Sequence, residues 1–172
     1  MNENAILKDL IWDETDGSLR YKGVRYLLIR PETLGKLIEI GGPGVEGQAG
    51  ESLFQGGFTG GVLSSKTYRD MLGFSDEEII AFMMSMGGQI GWGRFSLEAF
   101  DAESRVLAVR VNGSPFAEVQ GDAKGPVCHL IRGIVAGMGS ALLGRECGAV
   151  ETSCEAMGDD CCRFVLDAGQ GS

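Results

Sequence analysis

Apolar positions along the chain change their period several times, and each change marks an element. In Leu19–Arg30, Leu19 and Tyr21 alternate with charged neighbours, Lys22-Gly23 offers a turn, and Tyr26 to Ile29 is an apolar run. That pattern predicts a hairpin. Pro31 suits the first position of a helix, PETLGKLIEI, which places Leu34, Leu37 and Ile38 on one face before Gly41-Gly42-Pro43-Gly44 stops it. From Val45 to Leu72 a long helix is expected, with Leu53, Phe54, Phe58, Val62 and Tyr68 on one side. Its Gly57, Gly60 and Gly61 each cost about 1 kcal/mol against Ala, so another backbone should approach closely there. Ser75 opens SDEEIIAFMMSM, where acids fill the first turn and Ser75 with Glu78 forms a capping box.

Two strands, Arg94–Phe100 and Arg105–Val111, flank Asp101-Ala102-Glu103, and a shorter strand is expected around Phe116–Val119. Pro126 to about Leu143 keeps a helical period through Val127, Leu130, Ile131, Ile134, Val135, Met138 and Leu142. Gly133, Gly137 and Gly139 thin one side of that helix and permit close contact. Strands near Ala149–Cys154 and Cys162–Leu166 flank the turn Met157-Gly158-Asp159-Asp160, and Gly169–Ser172 is a frayed tail. Strands in blocks beside several helices predict an α+β fold, an antiparallel sheet packed against helices. The 172 residues suit a single domain. Within it, residues 1–18 read as an N-terminal extension, 19–125 as the pocket-forming part and 126–166 as a metal-bearing core.

Charge narrows the function classes. Fifteen Lys and Arg face 24 Asp and Glu, a net charge of -9, and no basic run offers a nucleic-acid footprint. No apolar stretch approaches the roughly 18 residues of a membrane span. The opening MNENAILKDLIWDE has neither the basic start nor the long apolar run of a secretory signal, so a cytoplasmic protein is expected. Hydrophobic residues, at 44%, are enough for a buried core.

All five cysteines fall from Cys128 onward: Cys128, Cys147, Cys154, Cys161 and Cys162. An odd number without a secretory signal points to metal before disulfides. Cys128, Glu151, Cys154 and Cys162 form the strongest constellation. Three thiolates and a carboxylate would close a tetrahedral zinc site with no open position, which is structural zinc. Their four negative charges favour nearby donors, for which Arg145 and Arg163 are candidates. The competing reading is four small buried side chains, because free Cys is often buried and C-x7-C is not a standard finger spacing. Cys161 should point away from Cys162 but could replace it as a ligand, Cys147 reads as packing, and His129 is a fifth candidate ligand.

Pro126 to Phe164 carries P-V-C, then L-L-G-R, then E-T-S-C-E-A-M-G-D-D-C-C-R-F. This segment resembles the 4-vinyl reductase family domain, which also occurs in the sensor modules of phenol- and xylene-responsive activators. R-Y-L-L-I-R-P-E-T-L and the glycine-rich helix extend the resemblance over most of the chain. The resemblance implies a fold like that of nitric-oxide sensing and Golgi-transport proteins, a homodimer, zinc on Cys128, Glu151, Cys154 and Cys162, and an apolar pocket nearby. Where phenol sensors hold the ligand hydroxyl with a His and a Trp, this sequence has Gly91 and Val111. A buried hydroxyl without donors costs about 1–3 kcal/mol, so a more apolar or bulkier ligand than phenol is expected.

Three functions compete. The first is a homodimeric, zinc-stapled module that senses or carries a hydrophobic small molecule, aromatic or tetrapyrrole-like. Its candidate pocket residues are Phe54, Phe58, Met83, Met86, Trp92, Phe95, Val111 and Phe116, each of which could equally be ordinary core. The second is a 4-vinyl reductase, or an accessory enzyme, of chlorophyll-type pigment synthesis. No G-x-G-x-x-G lies between a strand and a helix to bind a dinucleotide. The third is a dimeric adaptor with Gly133 and Gly137 in a helix-packed seam. No catalytic triad assembles around the single His129; Asp76, Glu77 and Glu78 complement a helix dipole, and Asp159 and Asp160 shape a turn.

Overall fold

Two antiparallel sheets frame the chain in the computed structural model, which describes residues 3–40 and 46–167. The expected stop at Gly41–Gly44, the helix start at Val45 and the tail Gly169–Ser172 lie outside the described residues, as do the side chains of Leu37 and Ile38. A short helix α1 (Ala5–Lys8), capped by Asn4 Oδ1, leads into β1 (Ile11–Asp13), β2 (Ser18–Tyr21) and β3 (Val24–Tyr26). These three strands form an antiparallel meander in chain order. Lys22 and Gly23 join β2 to β3 with φ of 48° and 79°. Two positive φ angles in a two-residue loop suit the right-handed twist of a hairpin.

The hairpin is shorter than its apolar run. After Tyr26 the segment Leu27–Arg30 makes no strand, and Leu27 and Leu28 are 79% and 70% exposed. Helix α2 (Pro31–Ile40) begins at the expected proline, and α3 (Glu46–Leu72) and α4 (Asp76–Gln89) follow. Both capping-box bonds open α4: Glu78 N–H donates to Ser75 Oγ, and Ser75 N–H donates to Glu78 Oε2. Phe82 of α4 meets Tyr68 edge-on at 4.7 Å and joins Tyr21, Ile79 and Ile6 in a small core that ties the meander to the helices.

The second sheet contains β4 (Arg94–Asp101), β5 (Val106–Asn112), β6 (Gly148–Ser153) and β7 (Cys162–Asp167), in the order β4-β5-β7-β6, antiparallel throughout. Between β5 and β6 run α5 (Pro115–Gln120) and α6 (His129–Leu143). The strand expected at Phe116–Val119 is therefore a helix. Ser114 Oγ accepts from Ala117 N–H and Pro115 occupies the first turn, a start signal that outweighs the β-leaning Phe and Val. Helix α6 starts three residues later than Pro126, with Cys128 at its N-cap. No helix among the described residues is long and apolar enough to cross a membrane.

Helix α6 covers one face of this sheet. Its Ile131, Val135 and Met138 are fully buried, as are the inward strand residues Leu107, Val109, Val111 and Phe164. Helix α3 then packs on α6 through glycines from both sides. A Cβ on Gly57 would collide with Leu130 O, on Gly61 with Ile134 O, on Gly133 with Phe54 O, and on Gly137 with Phe58 O. Four helical glycines thus let two backbones touch. Gly60, also expected to need a close neighbour, has none within 4 Å.

Gly133→Ala should lower unfolding free energy by about 1–3 kcal/mol in a urea titration, because neither helix can retreat without losing its packing. Gly56→Ala, at an open position of helix α3 with nothing within 4 Å, should be neutral or stabilising by up to about 1 kcal/mol. Equal losses at both positions would contradict the close-contact account.

Candidate metal centre and adjoining cavity

A β-bulge decides which side chains meet at the end of this sheet. Glu151 opposes Phe164, but after one extra residue Ser153 opposes Arg163. Residues three apart on a regular strand point to opposite faces; the bulge resets the alternation. Glu151 and Cys154 therefore both point inward, and Cys162, the first residue of β7, points inward opposite them. Cys128 arrives from the N-cap of α6. Cys128, Cys154 and Cys162 are fully buried and Glu151 is 5% exposed. Their four ligand atoms lie within 4.8 Å of one another.

Neighbouring groups fix each donor. Cys128 and Cys162 sulfurs are 3.6 Å apart, and Ser114 Oγ lies 3.2 Å from Cys128 Sγ. Cys128 N–H donates to Glu151 Oε2 at 2.9 Å, while Glu151 Oε1 is buried with no partner. Glu155 N–H donates to Cys162 Sγ at 3.4 Å, and the Glu155 carboxylate accepts from Gly113 and Ser114 N–H at 2.8 and 2.9 Å. Asp159 Oδ2 accepts from Cys154 N–H at 2.8 Å, so this acid shapes the turn beneath the cluster. Burial pushes the Glu151 carboxyl up to about 8. Hydrogen bonds to Cys154 and Cys162, together with burial, hold the Cys128 thiol high, while hydrogen bonds with Cys128 and Cys162 lower Cys154. Without an ion the cluster cannot carry four charges at once. An orphaned carboxylate oxygen beside three inward sulfurs fits a soft-to-borderline divalent metal.

Several expected participants sit elsewhere. Arg163 points to the outer face of the sheet, where it bonds Glu98 at 2.6 Å beside Arg110. Arg145 lies beyond the far end of α6 beside Cys147. Neither serves the cluster. Cys161 is half-buried near Ser153 Oγ, and Cys147 N–H donates to Ser140 Oγ in the core. The His129 ring packs against Gly50 of α3, outside the four-residue cluster, and its pKa is lowered by burial.

A cavity of about 610 Å³ opens beside the same helix. Met83, Met86, Trp92 and Phe95 line it. Phe54 and Phe58 instead border a shallower depression of about 400 Å³ with Arg145 and Cys147. Val111 is sealed in the core between Phe95 and Cys162 in one cross-strand row, and Phe116 stands edge-on behind Trp92 at 5.5 Å. Gly91 lies in the cavity wall at a φ of 90°. Sequence periodicity missed Tyr26 and Tyr68, which look like core, and Leu27 and Leu28, which look like strand. Ile6 and Leu10 from the N-terminal stretch and Ile134, Val135 and Met138 of α6 also line the cavity. The wall residue Phe95 is two strand spacings, about 10 Å, from Cys162.

A sheet with helices on one face, closed at one end by a buried Cys₃Glu cluster, defines an α+β domain with a candidate metal centre. Residues 107–168 match the family model of the V-4-R domain, the 4-vinyl reductase domain whose motif the segment from Pro126 to Phe164 resembles. The chain resembles the phenol-responsive sensory domain of the transcription activator PoxR, solved with phenol, at a TM-score of 0.81 and 22% identity over 95% of this chain and 86% of that one. It also resembles a vinyl-4-reductase family protein from Methanocaldococcus jannaschii (TM-score 0.50, 18% identity, 69% and 68% covered). A third likeness is to trafficking protein particle complex subunit 3 from Naegleria fowleri, covalently bound to palmitic acid (TM-score 0.54, 11% identity, 81% and 95% covered). At these identities the likeness is one of fold. No curated protein matches the chain.

Glu155→Ala removes the acceptor that holds Gly113 and Ser114. It should cost about 2–3 kcal/mol by chemical denaturation, since hydrogen bonds to a charged group are the stronger kind.

Proposed function

We propose that this protein is a zinc-stapled module that senses or carries an apolar small molecule. The observation that carries the reading is the largely apolar cavity sharing α6 with the Cys₃Glu cluster, on a fold like that of a domain solved with phenol. Cys128, Glu151, Cys154 and Cys162 would hold the zinc. Thiolates about 2.3 Å from a tetrahedral zinc lie about 3.8 Å from each other, close to the 3.6 Å between Cys128 and Cys162 sulfurs. Four protein donors leave no position for substrate, so the ion's chemistry is to neutralise buried charge and to pin α6, β6 and β7 together. Residues 126–166 then act as the zinc-bearing core.

The ligand is larger or more apolar than phenol. Gly91 contributes no side-chain donor to the cavity wall, and Val111 is an aliphatic residue in the core. Met83, Met84, Met86 and Met138 line the cavity, and methionine adapts to irregular shapes. The module works as a homodimer in the cytoplasm, where its five cysteines, none in a disulfide, stay reduced.

Elemental analysis of untagged protein should give one zinc per chain, and Cys154→Ser should lose it together with a large fall in melting temperature. Stoichiometric zinc in Cys154→Ser would remove the cluster from the proposal. The chain has two tryptophans, of which Trp12 is 66% exposed and Trp92 lines the cavity. In Trp12→Phe, saturation with an aromatic hydrocarbon should change Trp92 emission, and a ligand at 100 times its Kd should add about 2.7 kcal/mol of stability.

A further inference from the structure

Among the described residues that line the cavity there is no Lys, Arg, His, Asp or Glu. Its one side-chain amide is already engaged: Gln89 Oε1 accepts from Ile6 N–H at 3.0 Å and Nε2 donates to Ser85 Oγ at 2.9 Å. What remains polar among the side chains is a group of hydroxyls and the Trp92 indole N–H. Tyr26 Oη and Tyr68 Oη lie 3.1 Å apart, and they sit 3.2 and 3.3 Å from Met86 Sδ. Ser64, one turn before Tyr68 on α3, lines the wall beside them and hydrogen-bonds Tyr68.

The hydrogen-bond count of the tyrosine pair is incomplete. One phenolic O–H can donate to the other oxygen, which leaves the second O–H facing a thioether, a weak acceptor. Each phenolic oxygen also has two lone pairs, and the neighbouring phenol and Ser64 fill half of the pair's total at most. The rest of the cavity, including Phe95 and Met83, is apolar apart from the Trp92 indole N–H.

We propose that the ligand is a neutral hydrocarbon larger than a single ring, bearing a hydroxyl head that docks on the Tyr26–Tyr68 pair. This rests on the small-molecule reading above and names its ligand class. A hydroxyl both accepts the phenolic hydrogen that now faces sulfur and donates to a phenolic lone pair. An ionised carboxylate would be buried without a counter-charge, which the cavity cannot offset. Free fatty acids and propionate-bearing tetrapyrroles are disfavoured where that charge would have to enter the cavity. Burial holds the Tyr68 hydroxyl above the ordinary phenol range, so that hydroxyl stays neutral.

Three probes of one skeleton test this by calorimetry on the full chain at neutral pH: 2-naphthol, 2-methylnaphthalene and 2-naphthoate. Naphthol should bind about 3- to 10-fold more tightly than methylnaphthalene, the factor expected of one net hydrogen bond. Naphthoate should give no measurable heat. Tyr26→Phe keeps the ring and should bring naphthol and methylnaphthalene to within about 2-fold of each other, with methylnaphthalene binding retained. Naphthoate binding as tightly as naphthol, equal binding of naphthol and methylnaphthalene to the unaltered chain, or an undiminished preference in folded Tyr26→Phe would overturn the ligand class while leaving the cavity reading standing. If none of the three binds, both readings fall. The ranking on the unaltered chain decides the matter even if Tyr26→Phe fails to fold.

Discussion

Contact between the backbones of α3 and α6 sets the position of everything else. Helical glycine is unfavourable by itself, so four of them at Gly57, Gly61, Gly133 and Gly137 must be offset by what they allow, namely dispersion contact along two helices with no side chains between them. Helix α6 lies flat on the second sheet because Ile131, Val135 and Met138 fill its inner face. Helix α3 is thereby held as an outer layer at fixed height. Its adjoining stripe, Gly60, Ser64 and Tyr68, faces the gap toward α4, and the gap becomes the cavity. Gly57 and Gly61 draw the helices together at one stripe, and Gly60 and Ser64 leave room at the next.

Helix α6 also links the cavity to the thiol cluster. Cys128 stands at its N-cap, and Ile134, Val135 and Met138 of the cavity wall follow two to three turns later. An ion gripping Cys128 would fix the helix axis and so the wall. Glu155 and Asp159 extend this control to the loops, since one holds the β5–α5 connection and the other the turn that carries Cys154. The buried Glu151 oxygen without a partner is a group whose environment is incomplete. Buried polar groups are seldom left unpaired, so this oxygen calls for an explanation.

Much of this was legible in residue order. The capping box at Ser75, the proline at Pro31, the alternation of β5 and the glycine pairs of α3 and α6 are local signals, each with its own physical cause, and the structure has them. The inward convergence of Cys128, Glu151, Cys154 and Cys162 was legible as a set of residue types, although their spacing resembled no standard finger. The strand expected at Phe116–Val119 failed because a Ser-Pro helix start overrode β propensity. Leu27 to Ile29 failed as a strand because no partner strand continues beside them. Arg145 and Arg163 were placed at the cluster by charge alone, and strand alternation turned Arg163 to the opposite face.

The chain's own order of residues determined its elements, its donor types and its net negative charge, because those depend on periodicity, capping and composition. Only the tertiary structure decided which donors share a face, through a bulge that periodicity does not reveal. It alone also decided that Tyr26 and Tyr68, 42 residues apart, bring their hydroxyls together in the wall of one cavity. Phenylalanine, methionine and tyrosine look the same in a hydrophobic pattern whether they fill space or border it. That difference is a property of how closely helices can approach, and four absent side chains settle it.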